Sequence, residues 1–522
     1  MKCYEGIILS VDANDGVYRY LVEDNGRILY VGNELPKSFT HLSVHSLGNR
    51  VIAPAFVDTH QHFASLSTFN AGLNVMEAES NEDIARIIGE YAAKTKEKTI
   101  IAFGASPHSV KEGRLINREE IDAVCKGKEV MVVKYDGHAC IVSTPLLKKL
   151  DKKLSKLRGY HPDTGEMNQE AFFACSDYIS GSLYIPELFR NMQNCTDYLA
   201  SKGIGSIHTV SGVGFVANLD ITIEKLFAKS LRNGFQIRVF PQALNTEVAT
   251  FRKIPRIGGC FECALDGCFG SHDAAMNEPY TDPEGGVGIL YYSDEKVIEF
   301  CKKANRLGLQ IELHAIGDKA FDQATRALKA ALEDYPRNDH RHGIIHDCLP
   351  TAEGIAICMR YGIQMPVQSA FIGWKQEPDS YLEEILGPER TSRLNPIKTF
   401  ADNGIVVSFG SDAPCTDPDP IQWIHRAVNH SNPDERITVQ QALRMATYNG
   451  AYATFDEKER GSLEAGKISD MVILSDNPYD VEPEKLKDIK VEELILSGEP
   501  YESAVTPLGK CIWRGLFSKN RY

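Results

Sequence analysis

A chain of 522 residues with 43% hydrophobic and 25% charged side chains has the make-up of a soluble enzyme, either several domains or one large domain with an accessory. Its formal net charge of -14 argues against a nucleic-acid or anionic-membrane partner, since both need a basic face. The apolar stretch Ile7 to Val11 is too short for a signal peptide and no run approaches the roughly 18 apolar residues of a membrane span, so a cytoplasmic protein is expected.

Residues 1–53 read as short β-like runs, Gly6 to Val11, Tyr18 to Val22 and Arg27 to Val31. Asn14-Asp15-Gly16 and Asp24-Asn25-Gly26 supply hairpin turns between them. Next comes Val51 to Val57, an apolar run broken by Pro54, whose end carries Asp58, His60 and His62. Alternation along a strand sends His60 and His62 to one face, where two imidazoles can grip one metal ion. Residues 65–205 are long for one strand-helix unit and include the lysine-rich segment Lys148 to Arg158; they read as an insertion that shapes a pocket.

Beyond the insertion, strand-length apolar runs alternate with helical pattern. Ser206 to Val210, Gln236 to Phe240, Cys260 to Leu265, Gln310 to His314, Gly343 to His346, Gly362 to Val367 and Ile405 to Phe409 are such runs. Asp318 is placed to cap a helix with apolar positions from Ala320 to Leu332 at helical spacing, and Thr438 with Gln441 forms a capping-box pattern. Towards the end Asp470 to Leu474, Glu493 to Leu496 and Gly509 to Trp513 read as strands. This pattern predicts a (β/α)8 barrel of the TIM type with a small β-sandwich built from both termini, and an open doubly wound sheet is the alternative. The boundaries are 1–53 for the first sandwich part, 54–455 for the barrel and 456–522 for the second sandwich part.

The polar residues favour the barrel. His60, His62, Glu262, His314, His346 and Asp412 each lie in or at the end of an apolar run, and a parallel barrel gathers strand ends at one face. Four imidazoles and two carboxylates suit one or two divalent ions; zinc is favoured, with iron, manganese and nickel admissible. The thirteen cysteines lack the paired spacing of a zinc ribbon and fit small buried residues in a reducing compartment. Cys260, Cys263 and Cys268 come closest to a cluster, but the residues between them read as buried strand. His208 reads as a core histidine and His340 as solvated surface.

Phe56-Val57-Asp58-Thr59-His60-Gln61-His62, His314-Ala315-Ile316-Gly317-Asp318, Arg341-His342-Gly343-Ile344-Ile345-His346 and Phe409-Gly410-Ser411-Asp412-Ala413-Pro414 stand in this order. Together they resemble the metal-dependent amidohydrolase superfamily, and within it the long-chain amidohydrolase-3 group that includes N-substituted formamide deformylase. The resemblance implies that His60, His62, His314 and His346 hold metal and that Asp412 both binds metal and moves the proton. It places Glu262 where many relatives carry a carboxylated lysine that bridges two ions. It also sets Asp136, His138 and Gln368 beside the substrate. Ile345 departs from the family's pattern, which has a glutamate before the sixth-strand histidine.

Residue chemistry and resemblance thus point to a metal-dependent hydrolase of carbon-nitrogen bonds in small molecules, with linear amides or N-acyl compounds preferred. A mononuclear deaminase of a ring amidine and a non-catalytic scaffold are the alternatives. The sequence is compatible with a homo-oligomer and does not name the substrate.

Overall fold

The computed structural model describes residues 1–69, 72–181, 185–212, 218–283, 285–503 and 506–522. The expected insertion therefore includes a few positions outside the described residues.

Both ends of the chain enter one hydrogen-bonded sheet of seven strands. From the beginning come β1 (Lys2–Leu9), β2 (Val17–Asp24), β3 (Arg27–Gly32) and β4 (Val44–Pro54); the later part gives β19 (Met471–Leu474), β20 (Val491–Leu496) and β21 (Glu499–Pro500), in the order β21-β20-β19-β4-β1-β2-β3. Asn25 and Gly26, at φ 49° and 79°, make the left-handed turn that joins β2 to β3. β4 pairs with β19 antiparallel, Val51 opposite Leu474 and Pro54 opposite Met471.

One residue past β4 the chain enters β5 (Phe56–Gln61), fully buried along its length. Seven more parallel strands follow: β12 (Ile204–Ser211), β13 (Gln236–Pro241), β14 (Arg256–Ala264), β15 (Gln310–Ala315), β16 (Gly343–His346), β17 (Met365–Val367) and β18 (Val407–Phe409). Hydrogen bonds join β5-β12-β13, β14-β15-β16 and β17-β18. β13 packs beside β14, β16 beside β17, and β18 beside β5, so the succession returns to its start. At the return, Asp412 N donates to His60 O and His62 N to Ala413 O, each at 2.8 Å. Gly410 is required there, because a Cβ on it would sit 2.6 Å from His60 N.

Between β5 and β12 the insertion builds its own sheet from β6 (Leu73–Asn74), β7 (Thr99–Ala105), β8 (Glu129–Lys134), β9 (Ala139–Val142), β10 (Tyr160–His161) and β11 (Glu166–Asn168). Helices on it bury two clusters of their own, one around Ile88 and Val130 and one around Leu146 and Met167.

Three local expectations need correction. Gly509 to Trp513 is not a strand but part of the helix Leu508–Phe517. Cys511 and Gly515, one helical turn apart, face inward, and Gly515 comes so close to Leu226 O that a Cβ would stand 2.6 Å from it. Asp318 is the first residue of the helix Asp318–Asp334 rather than its cap, and its carboxylate accepts from Asn277 N at 2.7 Å. His340 is buried, with Nε2 2.8 Å from Tyr361 O. The capping box of Thr438 and Gln441 is present, but its helix stops at Ala446 and a second one begins at Tyr448.

Candidate metal centre

The carboxyl ends of the parallel strands gather imidazoles from three of them. His60 comes from β5 and His62 from the residue just past its end, His314 from β15 and His346 from the last position of β16; Asp412 follows β18. His60 Nε2 and His62 Nε2 each lie 3.2 Å from Asp412 Oδ1. His346 and Asp412 adopt left-handed backbone, φ 75° and 55°, which turns each side chain inward off its strand.

Glu262 does not join them. Its side chain is exposed, and its carbonyl accepts from Tyr292 OH at 2.9 Å. The cause is a bulge: β14 pairs Gly259 with Leu313 and then Ala264 with His314, so the register against β15 shifts between them. Phe261, at φ 48°, reverses the local direction, so Glu262 leaves and Cys260 faces the cluster. Cys260 Sγ lies 3.4 Å from His60 Nε2 and 3.7 Å from His346 Nε2.

Three overlapping groups present donor atoms within 4.8 Å of one another: His60, His62 and Cys260; Cys260, His314 and His346; and His60, His346 and Asp412. Burial lowers the basicity of His60 and His346, with His314 adding to the effect at both, so both are disposed to be neutral. A neutral imidazole is the form that binds metal. Burial opposes ionisation of Asp412, yet the facing histidines hold its carboxyl well below the usual range. His60 Nε2, His62 Nε2 and Asp412 Oδ1 are thus buried atoms that converge on one another. A buried, convergent set of nitrogen, oxygen and sulfur donors fits a divalent cation.

Supporting groups stand behind the donors. Gln368 is buried, and its Oε1 lies 2.6 Å from His346 Nδ1. Expected beside the substrate, it is placed behind the His346 ring, with its Nε2 towards Pro366 O at 3.5 Å. Asp266 Oδ1 lies 3.4 Å from His314 Nδ1 while its carboxylate accepts from Ala275 N, Ile316 N and Gly317 N. Asp58 clamps the two ends of the strand succession, accepting from Ser411 Oγ at 2.6 Å and Ser411 N at 2.9 Å.

The cavity over the donors is lined by Asp136 and His138 as well as by Phe371, Trp374 and Glu377. Burial would raise the Asp136 carboxyl, but Lys134 and His138 hold it at about 2. Lys134 Nζ is 2.8 Å from Asp136 and also donates to Gly270 O and Ser271 Oγ. Glu377 is pushed up to about 7 by burial, while the Tyr135 hydroxyl donating to it at 2.9 Å opposes the shift. Lys134 and Glu377 escaped the sequence reading, since neither belongs to a recognisable spacing. An adjoining recess shares His62, Asp136 and Phe261 and is walled by Ile101, Phe103, Met131 and Val133 of the insertion. Phe261 lines both, its ring 5.2 Å from that of His62 and 5.9 Å from that of His138.

A family model described as "Amidohydrolase family" matches residues 44–501. The YtcJ protein of Bacillus subtilis is 23% identical over 87% of this chain and 89% of its own. N-substituted formamide deformylase of Arthrobacter pascens is 21% identical over 94% of this chain and 96% of its own. In fold, the chain is similar to a crystal structure described as an uncharacterized metal-dependent hydrolase from Pyrococcus furiosus. That comparison has a TM-score of 0.72 and 23% identity over 92% of this chain and all of the other.

Proposed function

Because the chain belongs to the amidohydrolase family, by a match that runs from residue 44 to 501, we propose that it is a metal-dependent hydrolase of carbon-nitrogen bonds in small molecules. The observation that carries this reading is the set of three overlapping donor groups at the strand ends. The eight parallel strands are read as a closed (β/α)8 barrel, and the sheet from both chain ends as its accessory domain.

His60, His62, His314 and His346 would hold one or two divalent ions, with zinc the first choice for imidazole donors. When bound, such an ion polarises a carbonyl and makes water acidic enough to attack near neutral pH. Asp412 accepts the proton of the attacking water and returns it to the leaving nitrogen. His138, over the donors, is placed to stabilise the oxygen of the tetrahedral intermediate. Asp136, kept ionised by Lys134, takes a polar or cationic substrate group. Gln368 fixes the His346 ring, the task that outer partners of ligating histidines perform.

Linear amides and N-acyl compounds are the preferred class, because the apolar recess accepts a substituent while the carbonyl faces His138. The relative named as a deformylase of N-substituted formamides agrees with this preference. A cytoplasmic setting is our reading of thirteen cysteines that are all buried and free. No helix among the described residues is long and apolar enough to cross a membrane.

The test is a screen of protein purified with zinc or manganese against formamides, N-acyl amino acids and dipeptides, following free amine and ammonia separately. Chelator-sensitive release of amine is expected. Protein that takes up neither metal, or turnover indifferent to chelation, would defeat the reading. Ammonia from an amino-purine would move the activity to deamination.

A further inference from the structure

All thirteen cysteines are buried, and a buried cysteine is usually a small apolar residue. Cys260 has different surroundings. Its sulfur faces Nε2 atoms from two separate strands, His60 at 3.4 Å and His346 at 3.7 Å. A thiol is a weak partner for such nitrogens, donating its one hydrogen to one of them and accepting only weakly from the other. Packing alone therefore does not explain a sulfur placed between the two.

The donor groups explain it. Cys260 belongs to one triad with His60 and His62 and to a second with His314 and His346. An ion with metal-nitrogen bonds of about 2.0–2.1 Å and a metal-sulfur bond of about 2.3 Å sets tetrahedral nitrogen and sulfur donors about 3.5 Å apart. The observed 3.4 and 3.7 Å fall on either side of that separation.

We propose that Cys260, as a thiolate, bridges two divalent ions, one held by His60 and His62 and the other by His314 and His346. The inference rests on the metal-hydrolase reading and specifies its donor set. On metal uptake the Cys260 S–H bond breaks, its proton passes to solvent, and sulfur lone pairs form the bonds to the ions; nothing is oxidised or reduced. A sulfur bridge does the work that a carboxylate at Glu262 was expected to do, and Glu262 cannot do it from the exposed side of the bulge. A soft bridging donor also biases the pair towards zinc or cobalt over magnesium or calcium.

The experiment uses the full chain, stripped with chelator and reloaded with cobalt(II), and reads cobalt per chain together with near-ultraviolet absorption. Wild type should take up two cobalt ions and show a thiolate-to-cobalt charge-transfer band. Cys260→Ser should lose the band and fall to one ion or none. Cys260→Asp, which offers a carboxylate and covers the case of a misfolded serine variant, should keep two ions without the band. Glu262→Ala should match wild type in both readouts. Bound cobalt without the band, a band that survives in Cys260→Ser, or a single ion in wild type overturns the bridge and leaves the hydrolase reading standing. Failure of wild type to bind cobalt or zinc overturns the hydrolase reading itself, and the bridge with it.

Discussion

The parallel strands carry two buried polar clusters, one at each end, and the two are built on opposite plans. At the amino ends guanidinium groups pair with carboxylates. Arg238 Nε lies 2.7 Å from Asp456 Oδ2, Arg521 reaches the same carboxylate at 3.0 Å, and Arg341 pairs with Glu457 at 2.8 Å. His208, a core histidine as its strand setting implied, has Nε2 3.0 Å from Thr454 Oγ1. At the carboxyl ends donor atoms from several strands face one another within 4.8 Å. Matched charges hold a fold together, whereas convergent lone pairs await a cation.

If this contrast is right, substitutions at the two ends should separate turnover from stability. The largest effect is expected at Asp412. Asp412→Asn should lower kcat by about 10² to 10⁴ if proton transfer is its main task, with most of the metal retained; unchanged kcat would take it out of the mechanism. Arg238→Ala should act on stability instead. It strips Asp456 of its nearest cation in a buried setting, and urea denaturation should show a loss of about 3–5 kcal/mol. Metal content of the folded variant should not change, and a variant that loses metal without losing stability would break the comparison.

A smaller effect comes from a carboxyl in neither cluster. Glu224 is fully buried, and burial pushes its pKa from 4.5 up to about 8 despite the hydroxyl of Ser211. Between those values the folded state binds more protons than the unfolded one, so this group's contribution to stability falls as pH rises from about 4.5 to about 8. Glu224→Gln should therefore raise Tm most at pH 8.5 and least at pH 5. An equal shift at both values would show that Glu224 is ionised in the fold.

Much of the carboxyl-end cluster was legible because strand alternation fixes the faces of His60 and His62, and because apolar runs that end in polar residues identify strand tips. Cys260 was not. It shares parity with Glu262, and only the register shift before Ala264 and the backbone of Phe261 decide which of the two points inward. The role of Gln368 depends on the ring it touches, which no spacing in the chain encodes. The helix Leu508–Phe517 was misread because Cys511, Ile512 and Trp513 suit a strand equally well; its buried face is visible only against Leu226.

The pairing of β4 with β19 joins residues roughly 420 positions apart, Val51 with Leu474. Synthesis at about 5–20 residues per second separates their emergence from the ribosome by on the order of half a minute. During that interval the β4 edge, with Val51, Ile52 and Ala53 that end fully buried, has no partner on its β19 side. Unpaired apolar strand edges template aggregation, so this protein's yield in cells should depend on chaperones that hold the nascent chain until β19 arrives.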